Sequence, residues 1–409
     1  MKQLLTILFL FVFAATDGAT LEVGKGKKYP AIEQAIAAAS AGDIIHVYPG
    51  IYKGNSFLVN KPLHLRGINW PVLDGENKRE ILQVEANNVI IEGFEINNSG
   101  YSSSYDWAAV KVINSSYVTI RKNKLHNNSF GIYLQNASWT TIEENIVKGN
   151  PVNEIQSGNA IHCWKSDNIR IRNNTLSGHR DGIYFEFVTN SVIQGNNSFE
   201  NIRYGLHFMF SNNDIYMNNS FKNNGAGVAV MFSKQVMMIA NHFEDNWGSA
   251  AYGILLKEIS DGVIKYNRFI NNTVGVYMEG TNRINIFQNL FKSNGWALRV
   301  QSSCANNTVT KNNFIANTFD VGTNGSVQLN SFSTNYWDKY EGYDRNKDNY
   351  GDIPYQPVSL YSMVVEKIPA ASILLRSFMV KVMDKAERVV PAITPIDLKD
   401  ETPLMKPLK

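Results

Sequence analysis

The stretch RYGLHFMFS, Arg203 to Ser211, places a histidine and a methionine at alternate positions of a short apolar run. In a β-strand, alternate side chains point to opposite faces, so His207 and Met209 are expected to share one face. A second methionine, Met231, occupies the matching position of GVAVMF, 22 residues later. Thioether sulfur is a soft ligand that, together with imidazole, favours copper and especially Cu(I). These three residues are therefore a candidate copper site.

The same region permits two other interpretations. The methionines could cover an apolar groove beneath a loop or a partner without binding metal. The preceding motif GHRDGIYFE, Gly178 to Glu186, also offers His179, Arg180, Asp181 and Glu186 for acid/base work on a sugar. Glycosidases place two carboxylates about 5 to 10 Å apart across the scissile bond, whereas Asp-Gly is also a common turn pair. Polysaccharide binding or cleavage therefore stays as the alternative function.

An Asn-x-apolar unit recurs along the chain and indicates the elements that carry these residues. Most steps between units are 22 or 23 residues, with longer steps of 29 and 26 residues where insertions occur. The units begin at Asn123, Asn145, Asn174, Asn197, Asn219, Asn241, Asn267, Asn289 and Asn312. At about 3.3 Å per residue, such a unit is about 70 Å of chain, which suits one coil of three short strands. The sequence therefore predicts an all-β protein, a right-handed single-stranded parallel β-helix.

Two residue types at fixed places support this fold. Asparagine tolerates the left-handed conformation of a tight corner, and stacked asparagines can bond their side-chain amides from coil to coil. Glycine opens the runs GLHF and GVAV, and it is expected at another corner for the same conformational reason. A leucine-rich horseshoe would need leucines at fixed places and a helical segment, and a propeller blade would need about twice the length.

Two columns of residues that follow the small corner residue are wholly apolar and are predicted to face the core. The first comprises Ile132, Ile161, Ile183, Leu206, Val228, Ile254, Val276 and Leu298. The second comprises Leu134, Cys163, Phe185, Phe208, Val230, Leu256, Met278 and Val300. Cys163 is thus expected to be a small buried hydrophobe. About six coils, or nearly 30 Å, separate it from Cys304, which excludes a disulfide between them.

The chain divides into three predicted parts. Residues 1–18 are typical of a secretory signal, with Lys2 before an apolar stretch that is too short to span a membrane. Residues 19–356 form the β-helix, which begins with an amphipathic capping helix over residues 32–39. All 49 asparagines lie between positions 55 and 349. Residues 357–409 are therefore a tail of different character, with a helix that docks on a partner or a membrane, or else packs on the open end of the solenoid.

A polar loop follows the last coil. In NYWDKYEGYDRNKDNYGDIPY, Asp344, Asn346 and Asp348 alternate as in a calcium-binding loop. However, the twelfth position is Tyr355 rather than glutamate, and the sixth is Asn349 rather than glycine. A looser calcium site and a loop that only closes the solenoid both fit this pattern. The net charge of +3 is too small to indicate a nucleic-acid partner.

Several strings resemble the NosD family, which comprises exported maturation factors of nitrous oxide reductase. They include RDGIYFEFVT, RYGLHFMFSNN, NGAGVAVMFSKQV, AYGILLKEI, NYWDKYEGYD and GDIPYQPV, and the run from Arg180 to Glu258 is the most specific. The resemblance implies a β-helix in the periplasm that is not an enzyme in its own right. It also implies work with a membrane ATP-binding-cassette transporter, a copper chaperone and the reductase, with copper or sulfur as the cargo for its copper-sulfide centre. The ligands His207, Met209 and Met231 come from the strand columns alone.

Overall fold

The computed structural model describes residues 18–408 apart from 103, 151–152, 155–156, 376 and 391–397. Within these residues, short strands wind through three parallel sheets, and each full coil adds one strand to each sheet in turn. The first sheet holds 14 strands, the second 13 and the third 12. The predicted parallel β-helix is confirmed. The predicted signal segment lies outside the described residues, except for Gly18.

The strands of each sheet are given in chain order. The first sheet contains Thr20–Val23, Ile44–Val47, His64–Gly67, Ile90–Glu92, Thr119–Arg121, Thr141–Glu143, Arg170–Arg172, Val192–Gln194, Ile215–Met217, Met237–Ile239, Val263–Lys265, Asn285–Phe287, Thr308–Thr310 and Ser331–Ser333. The second sheet contains Ile51–Tyr52, Val72–Asp74, Glu95–Asn97, Lys124–His126, Ile146–Lys148, Thr175–Ser177, Asn197–Phe199, Ser220–Lys222, His242–Glu244, Arg268–Ile270, Leu290–Lys292, Asn313–Ile315 and Tyr336–Trp337. The third sheet contains Phe57–Val59, Leu82–Val84, Ala108–Ile113, Phe130–Gln135, Ile161–Trp164, Ile183–Glu186, Tyr204–Met209, Ala226–Met231, Tyr252–Lys257, Val274–Glu279, Trp296–Val300 and Phe319–Gly322.

The start of the solenoid is covered by helix α1, Ile32–Ala38. Its buried side chains are Ile32, Ala35 and Ile36, which belong to the same apolar core as the first coils. The helix packs against the strands Thr20–Val23 and Phe57–Val59. It therefore shields apolar side chains at the end of the stack, as the predicted capping helix should.

Both predicted core columns face the interior. Every residue of the two columns is at most 1% exposed, and consecutive members are paired across neighbouring strands, as in Ile183 with Leu206 and Leu206 with Val228. Aromatic rings fill the interior behind the second sheet in the later coils, with centroids 4.1–5.4 Å apart along Phe221, Phe243, Phe269, Phe291, Phe314 and Trp337. Cys163 and Cys304 are both buried and free, so the exclusion of a disulfide is confirmed.

Ten buried asparagines form an amide ladder along one corner of the solenoid. Each side-chain amide donates to the carbonyl oxygen of the next asparagine, over 2.9–3.1 Å. The members are Asn123, Asn145, Asn174, Asn196, Asn219, Asn241, Asn267, Asn289, Asn312 and Asn335. The predicted bonding from coil to coil is confirmed, but Asn196 replaces Asn197, which is exposed on a strand.

The repeat asparagines and the corner glycines were predicted to adopt the left-handed conformation, and this prediction is wrong at both corners. The left-handed residue is the one that precedes each ladder asparagine. Residues such as Lys122, Glu144 and Tyr266 occupy that position, with φ of 51–59°. The corner glycines Gly205 and Gly227 do not have positive φ either. A Cβ at Gly227 would lie 2.5 Å from the carbonyl oxygen of Gly253. Glycine is therefore required there by the close approach of neighbouring coils.

The tail packs on the solenoid at two places. Helix α2, Leu360–Lys367, packs against the last strand of the third sheet, and the 3₁₀ segment Pro369–Leu374 and helix α3, Phe378–Val389, pack against α2. There Phe319, Tyr361, Val365 and Val380 form a small separate apolar cluster. The Arg299 guanidinium donates to Glu366 over 2.5 Å.

The last described segment closes the final coil. Residues 398–408 pair with both the strand at Phe332 and the strand at Tyr336 through isolated bridges. The Asp400 carboxylate is fully buried and accepts hydrogen bonds from the side-chain amide of Asn335 and from Trp337 Nε1, each over 3.0 Å. Asp400 is therefore the final acceptor of the amide ladder.

Candidate functional site

The outward side of the third sheet carries the methionines that were predicted to bind metal. Met209 ends the strand Tyr204–Met209, and Met231 ends the next strand, Ala226–Met231. The two residues are direct partners across the sheet, and both are half-buried. Glu186 is the partner of Met209 on the other side. The register predicted for the two methionines is therefore present, and each is the last residue of its strand, next to a corner.

His207 lies deeper than an open strand face would allow. The residue is only 4% exposed, although its position in the strand alternates with the core-facing Leu206 and Phe208. The rings of Tyr184 and Tyr204 lie against it, with centroids 4.9 and 4.8 Å away. Neither ring nitrogen has a hydrogen-bond partner among the described residues. The imidazole therefore sits beneath a layer of tyrosine, and access to its nitrogens requires the ring or Tyr204 to move.

A buried carboxylate faces His207. Asp181 is fully buried, and its Oδ2 lies 3.7 Å from His207 Nδ1 and 3.6 Å from Arg180 Nε. Its other oxygen accepts the backbone N–H of Tyr204 over 3.2 Å. Arg203 follows Arg180 by one coil and pairs with Glu154 at 3.2 Å. Sequence reasoning proposed Asp181 for a turn or for acid/base work, but it did not place the carboxylate beside His207.

Two further histidines are kept neutral by burial: His162, which was predicted on the same outward face, and His179, which was offered for acid/base work. Burial lowers the pKa of His162 to about 3, and the charge of Arg180 acts in the same direction. The ring of His162 stacks on Tyr133 at 4.4 Å, and Asn159 Nδ2 lies 3.0 Å from its Nδ1. Burial also lowers the pKa of His179 to about 4. The outward alternation of the strand was the signal for His162, whereas His179 lies at a corner without such periodicity.

A polar pocket lies near His179. Its volume is about 260 Å³, and its lining includes Tyr101, Asn127, Asn128 and His179. The Nε2 atom of His179 is buried without a hydrogen-bond partner in the described structure. Amide, hydroxyl and imidazole groups of this kind can bind a small polar ligand.

The loop proposed for calcium satisfies its own acceptors. Asp344 accepts the backbone N–H groups of Asp348 and Asn349, over 3.1 and 2.9 Å. Asp348 accepts the side-chain amide of Asn346 and the backbone N–H of Tyr350, over 2.9 and 2.8 Å. The alternation of Asp344, Asn346 and Asp348 therefore stabilises the turns of an exposed loop, and the looser calcium site stays a prediction.

Neither a metal-binding cluster of histidine, cysteine and acidic side chains nor a membrane-spanning helix occurs among the described residues. They hold no group of three or more histidine, cysteine, aspartate or glutamate side chains placed to bind a metal ion. Thioether ligands such as Met209 and Met231 fall outside that set of side chains. Among the same residues, no helix is both long and apolar enough to cross a membrane.

Comparisons with protein families cover most of the chain. A family model described as "Periplasmic copper-binding protein (NosD)" matches residues 149–342, and one described as "Right handed beta helix region" matches residues 32–167. A "Probable ABC transporter binding protein NosD" of Pseudomonas aeruginosa is 28% identical over 378 residues, which cover 87% of each chain. Its counterpart in Stutzerimonas stutzeri is 26% identical over 379 residues, which cover 87% of this chain and 85% of that protein. The predicted resemblance to the NosD family is therefore confirmed.

Solved structures share the fold at low sequence identity. The catalytic unit of an α-1,3-glucanase from Streptomyces thermodiastaticus has a TM-score of 0.60 at 12% identity, covering 75% of this chain and 65% of that chain. The surface adhesin PfbA of Streptococcus pneumoniae has a TM-score of 0.57 at 13% identity, covering 75% and 88%. The A-module of mannuronan C-5 epimerase AlgE4 from Azotobacter vinelandii has 0.52 at 18% identity, covering 74% and 89%. Because enzymes and an adhesin both occur among them, these likenesses concern the solenoid alone.

Proposed function

We propose that this chain, on the premise of its NosD-type sequence, is an exported periplasmic accessory protein for the maturation of nitrous oxide reductase. It works with an ATP-binding-cassette transporter, and its cargo is Cu(I) for the copper-sulfide centre. The observation that carries the proposal is the pairing of Met209 with Met231 on the outward side of the third sheet. Family models and both curated relatives support the setting, since their descriptions are a periplasmic copper-binding protein and a transporter binding protein.

The methionine pair has the chemistry that a carrier of Cu(I) needs. Two neutral thioethers favour a soft monovalent ion and discriminate against hard cations. Both side chains are half-buried, so a partner can reach the sulfurs without unfolding a coil. His207 would complete the site after a rotation that brings a ring nitrogen outward from beneath Tyr204. This is a site for loose and reversible binding, as transfer of a cargo requires.

Copper competition tests the site directly. We expect Met209→Leu/Met231→Leu to lose Cu(I) to bicinchoninate at lower chelator concentration than the unmodified protein, because leucine keeps the volume but lacks the sulfur. Met217→Leu/Met237→Leu is the matched control, since both methionines are half-buried on the first sheet. Equal copper retention by all three proteins would eliminate the thioether site. Equal retention combined with loss of reductase maturation would point to sulfur as the cargo or to a contact role for this face.

The tail provides a surface for the transporter. One side of its helices is fixed on the solenoid through Tyr361, Val365 and Val380. The other side presents the tail apolar surface, which comprises Ile373, Leu374, Leu375, Phe378, Met379 and Val382. Ile373 is 87% exposed and Phe378 is 83% exposed. An uncovered apolar surface beside an anchored helix is suited to dock in a groove of a membrane partner.

Substitution on this surface tests the docking. We expect Ile373→Ser/Phe378→Ser to fold normally, since both side chains are exposed, and to lose co-purification with the transporter. Lys385→Ser on α3 is the control, because Lys385 is also exposed but lies outside the tail apolar surface. Undiminished co-purification of the double variant would show that the transporter binds elsewhere.

Carbohydrate binding is the second candidate function, and the polar pocket beside His179 favours it. Its amide and hydroxyl lining would suit one sugar ring. A role in cleavage has less support, because the carboxylate of Asp181 is fully buried and Tyr184 and Tyr204 enclose His207. Calorimetric titration with alginate and α-glucan oligosaccharides decides this candidate, and binding abolished by His179→Ala would support it.

A further inference from the structure

The corner after the third sheet carries an unusual exposed column. In five successive coils, its left-handed residue is Lys165, Phe187, Phe210, Phe232 and Glu258, with φ between 47° and 54°. All five side chains are exposed. We name Phe187, Phe210 and Phe232 the phenylalanine ladder. Their rings stack with centroids 5.2 Å apart and planes 10° and 18° from parallel.

The phenylalanine ladder is not what the backbone of this corner favours. Earlier coils place Asn114 and Asn136 at the same corner, with φ of 49° and 50°. Asparagine tolerates the left-handed region, whereas a bulky residue there is an outlier. The rings nevertheless remain 41–46% exposed, so they gain only part of the burial that a core phenylalanine gains. The presence of phenylalanine at this corner in three consecutive coils therefore indicates a binding role for the exposed rings.

The phenylalanine ladder is continuous with the methionine pair. Phe210 directly follows Met209, and Phe232 directly follows Met231. A protein that exchanges Cu(I) with these sulfurs must bring its own ligand within bonding distance of the ion. Its surface must then cover the neighbouring side chains as well. An apolar neighbour suits this contact, because it excludes water while the metal changes ligands.

From this geometry we propose that the phenylalanine ladder is the docking surface for the apoprotein that accepts Cu(I) from Met209 and Met231. The proposal rests on the copper-carrier function given above. Lys165 and Glu258 lie at opposite ends of the ladder and carry opposite charges. They orient a partner that has an apolar rim around its metal-accepting residues, with an acidic group near Lys165 and a basic group near Glu258.

The test replaces the rings by the residue that the corner itself favours. We expect Phe187→Asn/Phe210→Asn/Phe232→Asn to keep or raise the denaturant midpoint, because asparagine suits the left-handed corner. Association of the mature protein with apo nitrous oxide reductase, measured by biolayer interferometry, should weaken about tenfold or more. Cu(I) transfer to bicinchoninate, which needs no docking, should be unchanged.

A second exposed aromatic pair provides the matched control. Tyr117 and Trp139 also stack at left-handed positions, with φ of 60° and 51°, but at the corner before the first sheet. Tyr117→Asn/Trp139→Asn should therefore leave association with the apo reductase unchanged. The same assay on Lys165→Glu/Glu258→Lys should show slower association, and restoring one charge at a time should restore part of the rate.

Each other result overturns the proposal. Unchanged association of the triple variant, or no association of the unmodified protein with the apo reductase, would show that the acceptor does not dock there. A lower denaturant midpoint would assign the rings to packing. Dissociation of a dimer by the triple variant in sedimentation analysis would make the ladder a contact between copies of this chain. The association assay does not depend on copper binding. If the competition assay shows that the methionines do not bind Cu(I), that result is therefore distinguishable from a failure of docking.

Discussion

At the scale of single residues, the carboxyl group of Asp214 is the clearest source of pH dependence. Its side chain is fully buried inside the solenoid, and Oδ1 accepts the backbone N–H of Ser191 over 2.8 Å. Burial raises the pKa of Asp214 to about 8, partly offset by that hydrogen bond. The folded state therefore holds a proton that the unfolded chain releases above about pH 4.

Replacement of this carboxyl should flatten the alkaline side of the stability profile. A raised carboxyl pKa makes a contribution to stability that is complete below the unfolded pKa and is lost as the pH rises from about 4 to about 8. We expect the free energy of unfolding of Asp214→Asn, minus that of the unmodified protein, to be larger at pH 8 than at pH 4. Urea denaturation across that range measures the difference. Parallel profiles for the two proteins would show that Asp214 does not titrate in this window.

The neutral histidines should act with the opposite sign. The pKa values of His162 and His179 are lowered by burial, to about 3 and about 4. Their contribution to stability is present above the unfolded value near 6.5 and is lost as the pH falls through that value towards 4. We expect His162→Gln to reduce the loss of stability between pH 7 and pH 4.5, measured by thermal unfolding. An unchanged acid limb would place the responsible group elsewhere.

Residue types on the third sheet were predictable from alternation, but burial was not. The pairing of Met209 with Met231 follows directly from a period of two along the strand and 22 from coil to coil. His207 obeys the same alternation, yet it is buried beneath Tyr204. Tyr204 is the first residue of its strand, and Asp181 lies at the corner before the neighbouring strand, where the period of two breaks. Their position over the face therefore could not be read from the pattern.

At the scale of elements, the amide ladder holds the coils together along one corner. Asn196 accepts the backbone N–H and the side-chain amide of Asn174, each over 2.9 Å. It donates in turn to Asn219 and to the carbonyl of Ile171. Each ladder side chain thus satisfies buried groups of three coils, which explains why asparagine recurs at this position.

Adjacent asparagines provide a direct test of the ladder. We expect Asn196→Ala to lower the free energy of unfolding by about 3 kcal/mol or more, because each buried donor left without a partner costs about 1–3 kcal/mol. Asn197→Ala should change it by less than about 0.5 kcal/mol, since its side chain is exposed. Denaturant unfolding of the two variants under one set of conditions decides between them. Equal losses of stability would show that Asn197 contributes to the ladder as much as Asn196 does.

The repeat period predicted the elements better than the individual roles. A period of about 22 residues was sufficient to predict three strands per coil and the two core columns. However, the Asn-x-apolar pattern fits Asn197, with Phe199 as its apolar residue, and does not fit Asn196. The reason is that Ser198, and not an apolar residue, occupies the inward position after Asn196. Likewise, glycine at Gly227 fits either a positive φ or a close approach. Only the distances between coils distinguish these reasons.

At the scale of the whole molecule, the end of the chain completes the solenoid that the middle of the chain builds. Asp400 takes the place that an eleventh asparagine would occupy, although it lies 65 residues after Asn335. Leu404 adds a backbone bridge to Tyr336. The tail region therefore has two roles in the structure, since residues 398–408 cover the last coil while α2 packs against the last strand of the third sheet and carries α3.

Loss of the closing carboxylate should loosen the last coils first. We expect Asp400→Ala to lower the free energy of unfolding by about 3 kcal/mol or more, because it leaves donors of Asn335 and Trp337 without an acceptor. Hydrogen exchange should accelerate in residues 331–337 while the early coils stay protected. The exposed neighbour Glu401 supplies the control Glu401→Ala. Uniform acceleration along the whole solenoid would contradict closure by Asp400.

The closing segment also shows where prediction from sequence stopped. The loss of asparagine after position 349 indicated a change of character, and an amphipathic pattern indicated a helix in the region of α3. The pattern gave no sign that Asp400 would complete the ladder, because an aspartate lacks the amide that identifies the repeat. Helix α2 was not predicted either, since its eight residues carry only a short apolar face.

The amide ladder has a direction, and its direction has an electrostatic consequence. Every ladder amide directs one N–H to the next asparagine, in the later coil, and the Oδ1 of each asparagine accepts from an earlier coil, so the ten side-chain dipoles share one direction along the solenoid. Aligned peptide dipoles in a helix stabilise an anion at their positive end. Here the positive end meets the carboxylate of Asp400, and the negative end at Asn123 meets the backbone N–H of Phe94. The field of the solenoid thus favours an acidic residue at its last corner.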